Sequence, residues 1–163
     1  MPIRETKPPE SAHAAALRLL GRRDYSREEV RRKLAGKGFP VEEVEGVLED
    51  FERRGLLDDS KLAQRLARLY SDEKLWGPQK VLGKLFRRGI PPRLAKDLLD
   101  QESPVGATQA RLRKALNLRL RRTDPQSLSP QEKRRVANYL RQRGFGWEDI
   151  WEALRETGGS TEE

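Results

Sequence analysis

The sequence lacks the residues on which many kinds of protein chemistry depend. Its 163 residues include no cysteine, which excludes disulfide bonds, thiolate catalysis and cysteine-ligated zinc. The single histidine, His13, lies in an alanine-rich stretch with no obvious partner, so we expect an ordinary surface residue. No apolar run approaches the roughly 20 residues that span a bilayer, and the N-terminal stretch has no secretory signal. We therefore expect a cytoplasmic protein without a membrane partner.

Apolar residues are also scarce. Hydrophobic residues make up 35% of the chain and charged residues 37%, with a mean hydropathy of −0.88. One thick globular core would need a larger apolar fraction. The composition instead favours thin helical layers with much solvated surface.

The sequence has an excess of positive charge, and it is unevenly distributed. The net charge is +8, of which residues 1–55 contribute +1, residues 56–103 contribute +3 and residues 104–163 contribute +4. Between Val105 and Gly144 there are 11 basic side chains, against only Asp124 and Glu132. Such blocks favour polyanionic partners such as single- or double-stranded DNA.

A glycine motif recurs three times along the chain. The stretch LAGKGF at 34–39 is similar to KLFRRGI at 84–90 and YLRQRGF at 139–145, when the three are aligned on Gly38, Gly89 and Gly144. A valine lies eight positions before each glycine and a leucine four before it. A cation comes immediately before the glycine and a large apolar residue immediately after. Three matches in register indicate an internal repeat.

The spacing of the motif predicts the end of a helix. Valine and leucine four positions apart lie on one helix face, and a cation in the last turn offsets the helix dipole. Glycine then supplies the left-handed backbone that often follows a helix. Capping boxes at Ser26 and Ser129 and the Gly77-Pro78 pair predict where these helices begin. A phosphate-binding loop would need a preceding strand and a Ser or Thr after the lysine, and LAGKGF has neither.

Apolar residues at helical spacing follow each glycine and also precede each of these helices. The pattern predicts an all-α fold of three tandem three-helix repeats, stacked in an elongated, curved, crescent-like array, because units of about 50 residues need neighbours to be stable. The predicted repeats cover 11–55, 56–103 and 104–155, and residues 1–10 and 156–163 are predicted to be disordered tails.

No arrangement of residues predicts catalysis, so we expect no catalytic, cofactor-binding or metal-binding residues and a protein that is not an enzyme. The pair Asp58-Asp59 is interpreted as a helix cap. The acidic cluster at 42–52 is interpreted as the solvated face of its helix, with contact to a basic partner as the alternative. Trp147 and Trp151 match core positions, whereas Trp76 could reach a partner.

The basic residues are the candidates for a binding site. Since Val81 and Leu85 face inward, Lys80, Lys84 and Arg87 should project outward on the middle helix, towards phosphate groups rather than base edges. The full set of candidates for contact with DNA or a protein–DNA filament is Arg32, Lys33, Lys37, Lys80, Lys84, Arg87, Arg88, Arg111, Arg113, Lys114, Arg119, Arg121, Arg122, Arg135, Arg141 and Arg143.

Three stretches resemble the RecX family of regulatory proteins, which modulate the RecA recombinase. They are SREEVRRKLAGKGF, VEGVLEDFERRGLLDDSKLAQRLA and WGPQKVLGKLFRRGI, and the resemblance covers roughly residues 12–155. Its most specific part is Gly55 to Asp59 followed by Leu62-Ala63, and then Gly77-Pro78. Leu62 stands where the family usually has an aromatic residue, and Trp76 where it usually has a small or basic one.

The resemblance implies a crescent of three three-helix repeats that binds RecA–DNA filaments in their groove. It further implies a monomer without cofactors that inhibits RecA's ATP hydrolysis, strand exchange and coprotease activity, and so affects recombination, DNA repair and the SOS response. The alternative is an independent, nonspecific or transcriptional DNA-binding protein.

Overall fold

The computed structural model describes residues 10–156, apart from the side chain of Glu102, and within that range the protein is helical without any β-strand. This confirms the predicted all-α class. None of the helices among residues 10–156 has both the length and the hydropathy that a membrane-spanning helix requires. The helices are α1 Ala12–Leu20, α2 Arg27–Gly36, α3 Val41–Arg53, α4 Asp59–Arg68, α5 Pro78–Arg87, α6 Pro92–Glu102, α7 Ala107–Leu120, α8 Pro130–Gln142 and α9 Trp147–Glu156. A π-helical turn, Leu69–Glu73, continues α4, and a 3₁₀ turn, Pro125–Ser127, precedes α8.

The chain divides into two compact units, Met1–Leu62 and Ala63–Glu163. In the first unit, α1, α2 and α3 pack against one another around side chains that are shielded from solvent. The largest that are fully buried are Phe51, Leu34, Leu48 and Val30. They lie at the helical spacing that the sequence predicts, because an amphipathic helix buries one face only.

In the second unit, α7, α8 and α9 pack around a separate core. Its largest fully buried side chains are Phe145, Leu112, Leu116, Leu140 and Ile150. Helices α5 and α6 pack against each other within the same unit, with Val81, Leu85 and Ile90 buried. The curved arrangement of the repeats and their boundaries stay predictions.

The predicted helix starts are confirmed. The Ser26 hydroxyl accepts from the Glu29 amide at 3.1 Å, and the Glu29 carboxylate accepts from the Ser26 amide at 3.0 Å. Ser129 and Glu132 form the same reciprocal pair at the start of α8. Each capping box satisfies two backbone donors that the helix itself leaves unpaired. Gly77 is the N-cap of α5, which begins at Pro78.

The three repeated glycines end helices in the same way. Gly38, Gly89 and Gly144 have φ angles of +88°, +73° and +93°, in the left-handed region that favours glycine. In each copy the amide after the glycine donates to the carbonyl of the leucine five residues before it, which closes a Schellman motif. These bonds are Phe39 to Leu34 at 3.3 Å, Ile90 to Leu85 at 3.0 Å and Phe145 to Leu140 at 3.3 Å. The prediction of a helix end is therefore confirmed.

The start of α5 and the end of α8 touch through their backbones. The Gly77 amide donates to the Arg143 carbonyl at 2.7 Å, and the Gln79 amide donates to the Gly144 carbonyl at 3.3 Å. A Cβ added to Gly77 would overlap the Gly144 carbonyl, and one added to Gly144 would overlap the backbone of Lys80. The contact satisfies amides at the start of α5 with carbonyls from the end of α8, where the two helix dipoles attract.

Some expectations about individual residues were wrong. Trp147 and Trp151 are 43% and 37% exposed rather than buried, because Ile150, Ala153 and Leu154 supply the apolar face of α9 that enters the core. His13 is not without a partner, since its ring packs edge-on against Phe51 and its Nε2 lies 3.8 Å from the Asp50 carboxylate.

The acidic residues of α3 and α4 also act within the first unit. The interpretation of the α3 cluster as a solvated face was wrong in part, because Glu43 accepts from the Ala12 amide at the start of α1 and Glu45 pairs with arginines of α2. Asp58 caps its own helix through the Lys61 amide at 3.0 Å, as predicted. Asp59 instead accepts from the Arg27 amide of α2 at 2.9 Å, and burial raises the pKa of this carboxyl. Of the predicted tails, residues 1–9 and 157–163 lie outside the described residues.

Two glycine-to-alanine substitutions should change stability in opposite directions. Gly77→Ala forces a methyl group onto the Gly144 carbonyl and should destabilise the protein by about 1–3 kcal/mol, as overpacking does. Gly46→Ala lies inside α3, where an added Cβ meets nothing within 4 Å, and should stabilise it by up to ~1 kcal/mol through helix propensity. Thermal melting followed by circular dichroism measures both, and a melting temperature that rises in both variants would contradict the contact.

Candidate nucleic-acid interface

The contact between α5 and α8 creates a cleft of ≈ 410 Å³ in the second unit. Lys80, Lys84 and Arg87 line one side from α5, and Arg141 lines the other from α8. The remaining lining residues are Gln79, Gly83, Gln142 and Gly144. No carboxylate lines the cleft, and no ion pair involves any of these four cations within residues 10–156. The cleft thus presents a concentration of unneutralised positive charge.

Trp76 organises the lysines beside this cleft. Its ring stacks on Tyr70, with 5.0 Å between the ring centroids. The Nζ atoms of Lys80, Lys74 and Lys84 lie 4.5, 5.3 and 5.7 Å from the Trp76 centroid. An indole face attracts ammonium groups through its quadrupole, so the ring offsets part of the repulsion among these lysines. Trp76 is half-buried and holds cations in place rather than filling a core.

The environment of Lys80 shows the effect of this crowding. Burial of its ammonium, together with the nearby charges of Arg143 and Lys84, lowers the pKa of Lys80. Each of these causes disfavours the charged form of lysine. An anion bound beside Lys80 would favour its charged ammonium form and would therefore raise that pKa.

The two α8 arginines have different roles. Arg141 lines the cleft, where its guanidinium contacts the side-chain oxygen of Gln79 and donates to the Phe145 carbonyl at 3.1 Å. Arg143 is tied to the backbone instead, since it donates to the carbonyls of Lys74 and Leu75 and to the Tyr139 hydroxyl. Arg143 therefore anchors the lysine-bearing segment and contributes its charge at short range.

The other sequence-predicted residues of the second unit are spread over α5, α7, the turn after α7 and α8. Arg111 and Arg113 are neutralised by Asp72 and Glu156, and Arg119 lies over the Tyr139 ring. The α7 helix ends at Leu120, so Arg121 and Arg122 stand in the turn beyond it, with φ angles of +47° and +81°. The structure does not bring Arg88, Lys114 or Arg135 into the cleft lining, and the last two are exposed.

The cations of the first unit are mostly neutralised. Glu28 accepts from Arg31 and, at 3.0 Å, from Arg32, while Lys37 lies 4.0 Å from Glu10. Lys33 lies 5.8 Å from the centroid of the Tyr25 ring. The predicted residues Arg32, Lys33 and Lys37 therefore form no cluster comparable to the cleft.

Glu45 is the centre of the charge network in the first unit. Its carboxylate accepts from Arg31 at 2.6 Å and from Arg27 at 2.9 Å. These hydrogen bonds, the one from Arg31 foremost, lower the pKa of Glu45 to about 2. The bonds favour the charged carboxylate, as hydrogen bonds to an ionised group do.

Sequence reasoning identified the cleft cations but not the cleft. Lys80, Lys84 and Arg87 lie one helix turn apart, which the sequence shows directly. Nothing in the sequence pairs them with Arg141, and the structural role of Arg143 has no local signal. The Gly77-Pro78 pair was the one available sign, since a glycine before a helix can mark a close backbone approach as well as a cap.

Family models match both ends of the described chain. The model of RecX, first three-helix domain, matches residues 12–51, and the model of RecX, third three-helix domain, matches residues 107–154. Among curated relatives, Regulatory protein RecX of Trichlorobacter lovleyi is 35% identical over 137 residues, covering 84% of this chain and 89% of the relative. Regulatory protein RecX of Pelodictyon phaeoclathratiforme is 33% identical over 141 residues, covering 86% and 84%.

Solved structures have the same fold. The crystal structure of RecX from Lactobacillus salivarius superposes with a TM-score of 0.77 at 19% identity, over 90% of this chain and 94% of that one. A second crystal structure, of a regulatory protein RecX, gives 0.72 at 23% identity, over 89% and 70%. At these identities the similarity supports the fold alone.

Removal of the Glu45 charge should make stability less dependent on pH. The pKa of Glu45 is lowered on folding, so its contribution is fully present above about pH 4.5 and is lost as pH falls towards 2. Glu45→Gln should therefore lower the free energy of unfolding by at most ~1 kcal/mol near neutral pH, since the ion pair is partly exposed. Near pH 2 the substitution should leave that free energy unchanged. Urea denaturation of the wild type and the variant across this pH range measures the difference in their free energies of unfolding. Glu49→Gln, on the exposed side of the same helix, is the control and should show no such trend.

Charge reversal in the cleft should weaken binding of a single-stranded oligonucleotide. We expect the triple variant Lys80→Glu, Lys84→Glu, Arg87→Glu to lose about tenfold or more in affinity at low salt, with the slope of log K against log salt reduced by about 2. Fluorescence anisotropy measures the affinity and its salt dependence. Circular dichroism should show unchanged helicity, because these three side chains lie outside the core. The matched control reverses three exposed cations of the first unit, Arg22, Arg53 and Lys61. An equal loss in both triple variants would show that net charge matters and the cleft does not.

Proposed function

Because this chain belongs to the RecX family of regulatory proteins, we propose that it is a negative regulator of the RecA recombinase. In this proposal it binds the groove of the RecA–DNA filament as a monomer in the cytoplasm. It inhibits ATP hydrolysis, strand exchange and coprotease activity, and so modulates homologous recombination, DNA repair and the SOS response.

The basic cleft is the observation that supports the proposal best. Lys80, Lys84, Arg87 and Arg141 converge there without a carboxylate in the lining. A surface of this kind suits a phosphate backbone, whose contacts fix position and supply affinity without reading sequence. A regulator that acts along a filament needs such sequence-independent contact, since the filament forms on DNA of any sequence.

In this proposal the protein acts by binding a polyanion in the cleft between α5 and α8. A ligand bound across the cleft would contact side chains from both α5 and α8. The Gly77–Gly144 contact sets the relative position of these two helices. Because that contact is made by backbone atoms, the two helices that carry the cations are held in place before a polyanion binds. The protein in this proposal occupies part of the filament surface and needs no cofactor.

A second candidate function is supported by the same cleft. A protein with an unneutralised cationic cleft can bind single- or double-stranded DNA by itself, as a nonspecific or transcriptional DNA-binding protein. The α5 helix carries only Gln79 as an amide side chain, so it has few groups for reading base edges. This favours nonspecific contact within the second candidate, and it favours the regulator over a sequence-specific transcription factor.

Inhibition of RecA's ATP hydrolysis tests the proposal directly. With single-stranded DNA in low salt, the wild-type protein should inhibit hydrolysis at ratios well below one per RecA monomer. The cleft triple variant should need a roughly tenfold higher concentration, by the loss of phosphate contacts described above. Absence of inhibition by wild-type protein that still binds the oligonucleotide would contradict the regulator and favour the independent DNA-binding protein.

A further inference from the structure

The outer face of α9 combines exposed indole rings with exposed carboxylates. Trp147 and Trp151 lie one turn apart on this helix and are 43% and 37% exposed. The exposed carboxylates of Glu148 and Glu152 lie on the same side, and neither forms an ion pair within residues 10–156. We refer to these four residues as the tryptophan face.

The tryptophan face lies outside the core of the second unit. The apolar face of α9 that enters the core consists of Ile150, Ala153 and Leu154. Two partly exposed indoles one helix turn apart form an apolar surface that a partner can cover, and tryptophan is among the residues that most often dominate the energy of protein–protein interfaces. The exposed pair therefore points to a partner that covers it.

The charge of the face indicates the class of partner. Of the four carboxylates of α9, Asp149 accepts from Gln109 and Glu156 pairs with Arg113, which leaves Glu148 and Glu152 on the outer face, in a chain whose net charge is +8. Arg155 is the one cation of α9, and its Nε donates to the Trp151 carbonyl at 3.2 Å, so it borders the face at the last turn of the helix. A phosphate backbone would be repelled by the carboxylates, whereas an apolar pocket bordered by lysine or arginine would complement them.

The tryptophan face is continuous with the basic cleft. The guanidinium of Arg141, which lines the cleft, lies 5.7 Å from the centroid of the Trp147 ring. The cationic cleft and the tryptophan face, which carries carboxylates, thus meet at Arg141 of α8. Bare nucleic acid could satisfy the cleft alone, but a nucleic acid coated with protein could satisfy both.

We propose that the tryptophan face is a protein-docking surface that binds an apolar pocket rimmed by cations on a filament subunit, while the adjacent cleft binds the phosphates of the DNA. This assignment rests on the proposed function and divides its two partners between two surfaces. It explains why a chain of such positive charge leaves Glu148 and Glu152 without an ion pair within residues 10–156, on the helix beside the cationic cleft.

The test compares two ligands, a fluorescent single-stranded oligonucleotide alone and the same oligonucleotide coated with RecA and a non-hydrolysable ATP analogue. The double variant Trp147→Ala, Trp151→Ala should bind the bare oligonucleotide within about twofold of wild type and the coated one about tenfold more weakly. The control Leu118→Ala removes a side chain that is 64% exposed on α7 and should change neither.

A second variant keeps the test decisive if the tryptophan substitutions disturb folding. Glu148→Lys, Glu152→Lys should bind the bare oligonucleotide more tightly, because it adds cations, and the coated one more weakly. Its control, Glu42→Lys, Glu49→Lys, makes the same change of net charge on exposed positions of α3 and should not weaken binding to the coated oligonucleotide.

Three results would overturn the inference. An equal loss on both ligands would show that the indoles stack on bases, and unchanged binding to the coated oligonucleotide would show that the face has no partner there. Wild-type protein that fails to bind the coated oligonucleotide at all would overturn the proposed function as well. The last result is recognised before any variant is measured, so the two failures are distinguishable.

Discussion

The backbone contact between Gly77 and Gly144 is the constraint on which the basic cleft depends. The Gly77 amide reaches the Arg143 carbonyl at 2.7 Å, which is possible only because neither glycine has a Cβ. Helix α5 begins where α8 ends, so the contact places Lys80 and Lys84 beside Arg141. Groups of like charge would otherwise separate. Backbone hydrogen bonds, attracting helix ends and the Trp76 ring hold them together.

The two units differ in how their charged side chains are paired. In the first, Glu45 lies between Arg27 and Arg31, and hydrogen bonds lower the pKa of its carboxyl to about 2. In the second, the cleft cations have no carboxylate in their lining. A net charge of +8 therefore does not describe a uniformly basic surface. In the first unit Arg27, Arg31 and Arg32 of α2 are paired with carboxylates, whereas the second unit contains a cluster of cations with no carboxylate beside it.

Membership of the RecX family and the two adjacent surfaces of the second unit lead to one interpretation. The cleft suits phosphate, and the tryptophan face suits protein. Arg141 belongs to the first and contacts the second. A nucleoprotein filament is a ligand that presents both chemistries together, which fits a regulator of a recombinase better than it fits a protein that binds bare DNA.

Local structure could be predicted from the sequence because helices are specified by neighbouring residues. The capping boxes at Ser26 and Ser129 and the glycines that end α2, α5 and α8 were all found from spacings of a few positions. The same spacing made Trp147 and Trp151 look buried, since periodicity places them near the core face but cannot tell how wide that face is. Ile150 and Leu154 already fill it.

The sequence by itself determined an all-helical chain, the helix ends, most of the core and the set of cations available for binding. Only the tertiary structure decided which cations are neutralised, that Arg143 anchors the backbone, and that α5 and α8 together form a cleft. The physical reason is that these outcomes depend on contacts between residues distant in the chain. Hydrogen bonds and steric fit between whole helices select such contacts, and no short-range pattern encodes them.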